Sequence, residues 1–157
     1  MGRGGRALFR GINAINLDAK GRLAVPSKYR DRLREHCEGQ LIVTVDRDRC
    51  LLIYPLPEWE VIERKLASLP NLDAQTRRLQ RLLIGYATEC VMDGHSRILL
   101  PPPLREFAAL EKRIVVIGQG EKFELWDEQQ WNNRCTEWLA VDDAASTLSV
   151  ELESLTL

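Results

Sequence analysis

The sequence predicts an α+β fold, mainly β, in which two tandem repeats share one β-sheet core and carry flanking helices. The first observation is an internal repeat: Leu17–Arg30 (LDAKGRLAVPSKYR) recurs, altered, as Met92–Arg105 (MDGHSRILLPPPLR). Matched residues are offset by 75 positions without a gap, which indicates one structural unit used twice. The second observation is size, because a unit of under 80 residues buries only a marginal core alone. We therefore expect the two halves to share one sheet about a pseudo-twofold axis.

The repeated string combines a turn with a strand. Asp18 suits the first position of a four-residue turn and Gly21 suits the last. In both copies an arginine follows the aspartate at a spacing of four, as Arg22 after Asp18 and as Arg97 after Asp93. Across a tight turn this spacing lets the carboxylate orient the guanidinium while other donors stay free. The same spacing also suits a simple structural ion pair at an exposed turn, which would be individually weak.

Each repeat then continues with a helix, a hairpin and a helix that carries tryptophan. Proline ends the strand after each turn, because it cannot donate to a sheet and suits the first turn of a helix. Turn residues between apolar runs predict the hairpins, and apolar stripes predict the helices. The predicted elements are a first strand with Ile12 and Ala14, a helix over 27–36, a hairpin of Leu41–Val45 and Cys50–Tyr54, a helix from Pro57 to Leu69, a helix capped by Asp73, a second hairpin of Arg113–Ile117 and Lys122–Trp126, and a helix that contains Trp131 and is capped by Asp127.

Composition excludes several classes of protein. The chain is 45% hydrophobic and 29% charged, which is ordinary for a globular protein, and no apolar run is long enough to span a membrane. No apolar segment follows the basic start, so we expect no signal peptide and a cytoplasmic location. The cysteines at 37, 50, 90 and 135 form no CxxC pair, and we expect reduced thiols, mostly buried, with no metal site.

The near-neutral net charge of −1 hides an uneven distribution. Residues 1–35 carry nine Lys/Arg and three Asp/Glu, a net of +6, so the remaining chain carries −7. A basic end on such a chain predicts a localised contact with a polyanion, although solvated faces of a turn and a helix would look the same.

No catalytic pattern is present in the sequence. The motifs GxSxG, GxxxxGK[ST] and HExxH are absent, and the two histidines have no cysteine or serine partner at a recognisable spacing. We therefore predict a protein that is not an enzyme and that uses no cofactor, no metal and no small-molecule substrate.

At this point the residues carry a family resemblance. The segment Leu8–Arg30, its twin Met92–Phe107 and the paired hairpin–helix segments resemble the MraZ family over Leu8 to about Leu139. The resemblance implies a bacterial transcriptional regulator with an AbrB-like swapped-hairpin β-barrel fold. It also implies binding to DNA repeats upstream of its own division and cell-wall gene cluster, a nucleoid-associated location and assembly into rings. We expect a repressor, and activation stays open as the alternative.

The resemblance and the chemistry together predict a DNA-binding site. The family's functional positions carry over as the Asp and Arg of both turns, and arginine can bond guanine O6 and N7 together. Nearby cations would contact phosphates and fix the register. In the second loop Gly94-His95-Ser96 replaces Ala19-Lys20-Gly21, which removes a lysine. The predicted DNA-binding residues are Arg10, Asp18, Lys20, Arg22, Lys28, Asp93 and Arg97.

Charge further predicts that the first repeat lies nearer the DNA. Residues 8–40 hold seven Lys/Arg and four Asp/Glu, whereas residues 83–115 hold four of each, so the windows carry +3 and zero. The alternative is that both turns lie on one face and contribute alike.

The expected organisation has four parts. Residues 1–7 form a disordered extension, 8–87 a first repeat with two helices, 88–140 a second repeat with one helix, and 141–157 a tail that is either a further helix or an oligomer contact. A different class of function stays open, in which an antitoxin-like interaction module uses the acidic tail to grip a partner protein.

Overall fold

The structure is a computed structural model that describes residues 7–141, 154 and 155. Its strands are β1 (Phe9–Asn16), β2 (Arg22–Ala24), β3 (Gln40–Val45), β4 (Leu51–Pro55), β5 (Thr88–Val91), β6 (Arg97–Leu99), β7 (Arg113–Gly120) and β8 (Lys122–Asp127). Its helices are α1 (Ser27–Cys37), α2 (Leu56–Ser68), α3 (Ala74–Leu79), α4 (Pro102–Phe107) and α5 (Glu128–Ala140), and Gln80–Ile84 continues α3 as a π-helical turn. Both predicted hairpins and both tryptophan-bearing helices are confirmed.

The two repeats exchange their first strands. The six-stranded antiparallel sheet has the order β1-β7-β8-β4-β3-β5, so β1 of the first repeat extends the hairpin of the second. In the same way β5 of the second repeat extends the hairpin of the first. Neither hairpin has its full set of neighbours without the other repeat, which explains how two small units stabilise each other.

The pairing register follows a pseudo-twofold axis. On β2 and β6, Leu23 pairs with Ile98, and these two residues are counterparts in the sequence repeat. On β4 and β8, Leu52 pairs with Glu124, which are counterparts at an offset of 72. A pair of counterparts lies on the axis, so the expectation of one sheet shared about such an axis is confirmed.

The core lies between the six-stranded sheet and the β2–β6 ribbon. Leu23 and Ile98 of the ribbon share one buried cluster with Ile114 of β7 and Leu51 of β4. The hydrogen-bond ladder ends at β1 and β5, and the repeated turns connect these two strands to the ribbon. Within the described residues the strands therefore enclose a barrel-like core without a closed ladder.

The helices show where the repeats match and where they differ. α2 and α5 each have 13 residues, and Trp59 packs on Tyr54 as Trp131 packs on Trp126, with ring centroids 5.7 and 5.8 Å apart. By contrast α1 has 11 residues and α4 has six, and the offset between counterparts falls from 75 to 72 after these helices, so the second repeat has a deletion here.

The predicted caps are confirmed in the structure. The Asp73 side chain accepts a hydrogen bond from the Gln75 N–H, and the Asp127 side chain accepts one from the Gln130 N–H. Each cap satisfies one of the free donors in the first turn of its helix.

The first strand is confirmed, but the two apolar residues that predicted it face outward. Ile12 is 61% exposed and Ala14 is also exposed, whereas Phe9 is 2% exposed and belongs to the core. The alternate face is buried because Phe9 packs against the rings of Tyr29 and Phe123.

The expectation of free, mostly buried thiols is confirmed. Three cysteines are buried, Cys135 is partly buried, and all four are free thiols. No helix in the described residues is both long and apolar enough to cross a membrane. Of the expected extension the structure describes Ala7, which packs partly buried against the core, while residues 1–6 lie outside the described residues. Most of the expected tail, 142–153 with 156 and 157, also lies outside them.

Candidate nucleic-acid interface

The two repeated arginines lie on one face of the β2–β6 ribbon. In the antiparallel register Arg22 lies opposite Leu99, and Arg97 lies opposite Ala24. Leu23 and its partner between these pairs point into the core, since successive residues of a strand alternate between faces. Arg22 and Arg97 are therefore diagonal neighbours on the outer face, a relation that places Cα atoms about 7–8 Å apart.

The first turn closes through bonds made by both the backbone and the carboxylate of Asp18. The Gly21 N–H donates to the Asp18 carbonyl at 3.0 Å, which closes the predicted four-residue turn. Asp18 Oδ1 accepts from the N–H groups of Lys20 and Arg22 at 2.9 and 2.8 Å. Asp18 Oδ2 accepts from Arg22 Nε at 3.0 Å. Because this bond uses only Nε, the terminal nitrogens of Arg22 keep four N–H donors for a ligand.

The second turn repeats the backbone bonds but not the side-chain bond. The Ser96 N–H closes the turn on the Asp93 carbonyl at 3.0 Å, and Asp93 Oδ1 accepts from the N–H groups of His95 and Arg97 at 2.8 and 3.0 Å. Arg97 Nε lies 3.5 Å from Asp93 Oδ2, at ion-pair distance. Among the described residues this Nε is the buried side-chain nitrogen without a hydrogen-bond partner. The second aspartate thus attracts its arginine without fixing it.

Both turn carboxylates are held in the ionised form. The pKa of Asp18 is lowered from 3.8, chiefly by the N–H of Arg22 and further by the Arg22 guanidinium. The pKa of Asp93 is lowered from 3.8, chiefly by the N–H of Arg97. A carboxylate that accepts several N–H bonds favours its charged form, so both turns keep their geometry at neutral pH.

The last residue of each turn has a left-handed backbone. Gly21 has φ of +87° and Ser96 has φ of +60°. A Cβ on Gly21 would lie 2.7 Å from Arg105 Nε and 3.0 Å from the Leu100 carbonyl oxygen. Glycine is therefore needed in the first turn for its conformation and because the other repeat approaches closely.

Two arginines that the sequence analysis did not select lie at the turns. Arg105 of α4 lies against Gly21 of the first turn. Arg34 of α1 lies at the second turn, where Nη2 donates to the Asp93 carbonyl and to Ser96 Oγ, both at 2.9 Å. Each repeat thus supplies an arginine to the other repeat's turn, and only the strand exchange could reveal this.

The exchange also changes the charge argument for the two repeats. The basic window 8–40 includes Arg34, whose guanidinium lies on the second turn rather than on the first. The neutral window 83–115 includes Arg105, which lies at the first turn. Charge counted along the sequence is therefore not the charge around each turn.

The predicted phosphate contacts form two groups. Lys20 is exposed at the first turn. Arg10 is exposed at the start of β1, and Lys28 Nζ lies directly over the neighbouring Gly11. About seven residues of extended strand separate this position from Asp18, which is roughly 23 Å. Arg10 and Lys28 thus both lie near the start of β1, away from the turn.

The face of the ribbon also carries an apolar residue that the sequence analysis did not select. Leu99 is 55% exposed opposite Arg22, on the same outer face. No signal in the sequence marked it, because apolar residues in a strand usually indicate the core. Over the described residues no group of three or more His, Cys, Asp or Glu side chains could hold a metal ion.

Comparisons with known proteins agree on one family. The family model of the MraZ protein, whose description includes the words antitoxin-like, matches residues 8–82 and again residues 83–147. The transcriptional regulator MraZ of Thioalkalivibrio sulfidiphilus is 61% identical over 150 residues, which cover 96% of this chain and all of the relative. The transcriptional regulator MraZ of Halorhodospira halophila is also 61% identical, over 152 residues, and that of Pseudomonas aeruginosa is 57% identical over 151 residues. Each covers 96% of this chain and all of the relative. A doubled match over most of the sequence and relatives at this identity show that the chain belongs to the MraZ family.

Proposed function

We propose that this protein is a sequence-specific, double-stranded DNA-binding regulator of transcription. The observation that supports this most strongly is the β2–β6 ribbon, which carries Arg22 and Arg97 on one exposed face. Its family relatives are named transcriptional regulators, in agreement with this function.

The ribbon would read base edges in the major groove. That groove admits a two-stranded β-ribbon, and arginine bonds guanine O6 and N7 as a bidentate pair. Asp18 holds Arg22 by Nε, which leaves the N–H donors of its terminal nitrogens available for such a pair. Leu99 on the same face offers an apolar surface to a thymine methyl group.

Phosphate contacts would fix the register of the ribbon on the duplex. Lys20 is next to the ribbon, whereas Arg10 and Lys28 both lie near the start of β1. These two groups would contact phosphates at two positions along the DNA, and such contacts add affinity without reading sequence.

The proposed targets are DNA repeats upstream of the protein's own division and cell-wall gene cluster, which it would repress from the nucleoid. A homo-oligomeric ring would present several ribbons to several repeats at once, so that weak single contacts add through effective concentration. A heterologous contact between neighbours closes into such a ring when the rotation permits. An 18.0 kDa monomer in light scattering at micromolar concentration would contradict the oligomer.

A second candidate is an interaction module that binds a partner protein. The description of the family model as antitoxin-like supports this second candidate. The two functions differ in salt dependence, because DNA binding releases counterions and weakens steeply as salt rises.

Footprinting on DNA upstream of the protein's own gene tests the proposal. We expect protection of repeated boxes by the wild-type chain and weaker protection by the Arg22→Ala variant. A scrambled fragment of equal length is the control for non-specific binding. Equal protection of the scrambled fragment would refute sequence-specific recognition.

A further inference from the structure

We infer that Arg34 is a positioning residue that holds the second Asp-x3-Arg turn in its DNA-reading conformation from the other repeat. The effect of Arg34 on DNA binding rests on the proposed function, while its effect on the turn rests on the contacts alone. Arg34 belongs to α1 of the first repeat, and its Nη2 donates to two acceptors of the second turn.

Ser96 has an unusual backbone conformation. Its φ is +60°, a backbone conformation that residues other than glycine rarely adopt without local support. It is also buried, at 8% exposure, so its hydroxyl needs a partner. Arg34 supplies this partner at 2.9 Å and thereby stabilises a serine where the first turn uses glycine.

The carbonyl of Asp93 accepts two hydrogen bonds. It accepts the turn-closing N–H of Ser96 and also Arg34 Nη2, at 3.0 and 2.9 Å. One planar guanidinium nitrogen therefore bonds both the first and the last residue of the turn. Hydrogen bonds from a charged donor are stronger than neutral ones, so this contact resists opening of the turn.

Within the described residues, no arginine of the other repeat bonds the first turn in this way, because Arg105 Nε donates to the Leu100 carbonyl. The residue at the position matching Arg34 is Ala109, which lies beyond the end of the shorter helix α4. The first turn relies on Gly21 instead, and its arginine is fixed by Asp18. In the second turn Arg97 Nε has no hydrogen-bond partner, so the direction of Arg97 depends more on the turn backbone that Arg34 supports.

The test is a double-mutant cycle of Arg34→Ala and Ser96→Gly, with hydrogen–deuterium exchange and DNA affinity as readouts. Loss of a charge-assisted bond should speed exchange in a peptide spanning 92–99 by about 10-fold or more. A peptide spanning 17–24 is the internal reference and should not change. The Arg32→Ala variant removes the same charge from the same helix without touching the turn, and should leave both peptides unchanged.

Rescue separates a positioning role from a direct phosphate contact. Because glycine adopts positive φ freely, the Arg34→Ala/Ser96→Gly variant should recover DNA affinity to within about twofold of Ser96→Gly alone. If Arg34 binds phosphate directly, the double variant stays weak and the salt slope falls by about one. That result, or unchanged exchange in Arg34→Ala, would overturn the inference. If the wild-type chain does not bind DNA specifically, the proposed function fails, and the exchange arm alone then supports or overturns the structural role.

Discussion

The two repeated turns make the same backbone bonds but are supported in different ways. In the first turn Gly21 supplies the left-handed backbone, and Asp18 bonds the side chain of Arg22. In the second turn Ser96 takes the same position with help from Arg34, and the arginine Nε is left without a hydrogen bond. One fold therefore keeps two copies of a site in the same shape while fixing different parts of each.

This difference follows from the exchange of strands. Since Arg34 of α1 bonds the turn of the other repeat, a change in the length of one repeat's helix affects the turn of its partner. The shorter α4 cannot carry a counterpart of Arg34 to the first turn. A deletion in one repeat can therefore remove a residue that supports the turn of the other repeat.

The largest expected effect tests whether the two repeats contribute equally to the buried core. Leu23 and Ile98 pair on the pseudo-twofold axis and are 2% and 1% exposed. Truncation of either to alanine should lower the free energy of unfolding by about 2–5 kcal/mol, as for other large-to-small core substitutions. Urea unfolding at fixed protein concentration measures this. A loss below about 1 kcal/mol in one variant, with a normal loss in the other, would break the proposed symmetry.

The next effect separates the two left-handed positions. Gly21→Ala should destabilise the fold by about 1–2 kcal/mol, because alanine is strained at positive φ. Its Cβ would also approach Arg105 Nε at 2.7 Å. The matched variant Ser96→Gly removes a side chain from the equivalent position and should change stability far less. Thermal unfolding of both variants is the measurement, and equal losses would contradict the different support of the turns.

A smaller effect concerns the single lysine that distinguishes the turns. Lys20→Ala should reduce the slope of log affinity against log salt by about one, as for loss of one phosphate contact. His95→Ala at the matching position should leave the slope nearly unchanged at pH 8. Fluorescence anisotropy on one operator fragment over a salt series measures both. An equal change of slope would show that the charge difference at these positions has no bearing on binding.

The smallest effect is expected from pH. Both carboxyl pKa values are lowered from 3.8, so the stability they contribute is present above that pH and is lost as pH falls through the lowered values. Carboxyl titration by NMR should therefore give both midpoints below 3.8, and the turns should not change between pH 5 and 8.

The titration also compares the two arginines. Arg22→Ala should raise the pKa of Asp18 more than Arg97→Ala raises that of Asp93, because only in the first pair do the two side chains share a hydrogen bond. Equal increases would show that the two ion pairs are equivalent in solution.

Local chemistry made much of the fold predictable. The turn residues Asp18 and Gly21, the hairpins and the caps Asp73 and Asp127 follow from interactions within a few residues, and the structure confirms them. The repeat itself predicted a shared sheet, because a unit of half this length cannot bury an adequate core.

Features that depend on long-range pairing were not predictable in the same way. Arg34 and Arg105 contact turns that lie about 60 or more residues away in sequence, so no local pattern marked them. Arg10 was grouped with the turn by charge, but an extended strand separates the two. The apolar residue Ile12 helped to predict the strand, yet it lies on the exposed face. The opposite face is buried, because Phe9 and its aromatic partners fill the core.

The central claim is that the β2–β6 ribbon reads DNA with the arginines of both turns. The most direct measurement is the affinity of folded Arg22→Ala and Arg97→Ala proteins for one upstream fragment and for a scrambled control. Each variant should lose about 1–3 kcal/mol, roughly 5- to 150-fold, on the upstream fragment only. Normal affinity of either folded variant for the upstream fragment would contradict the account.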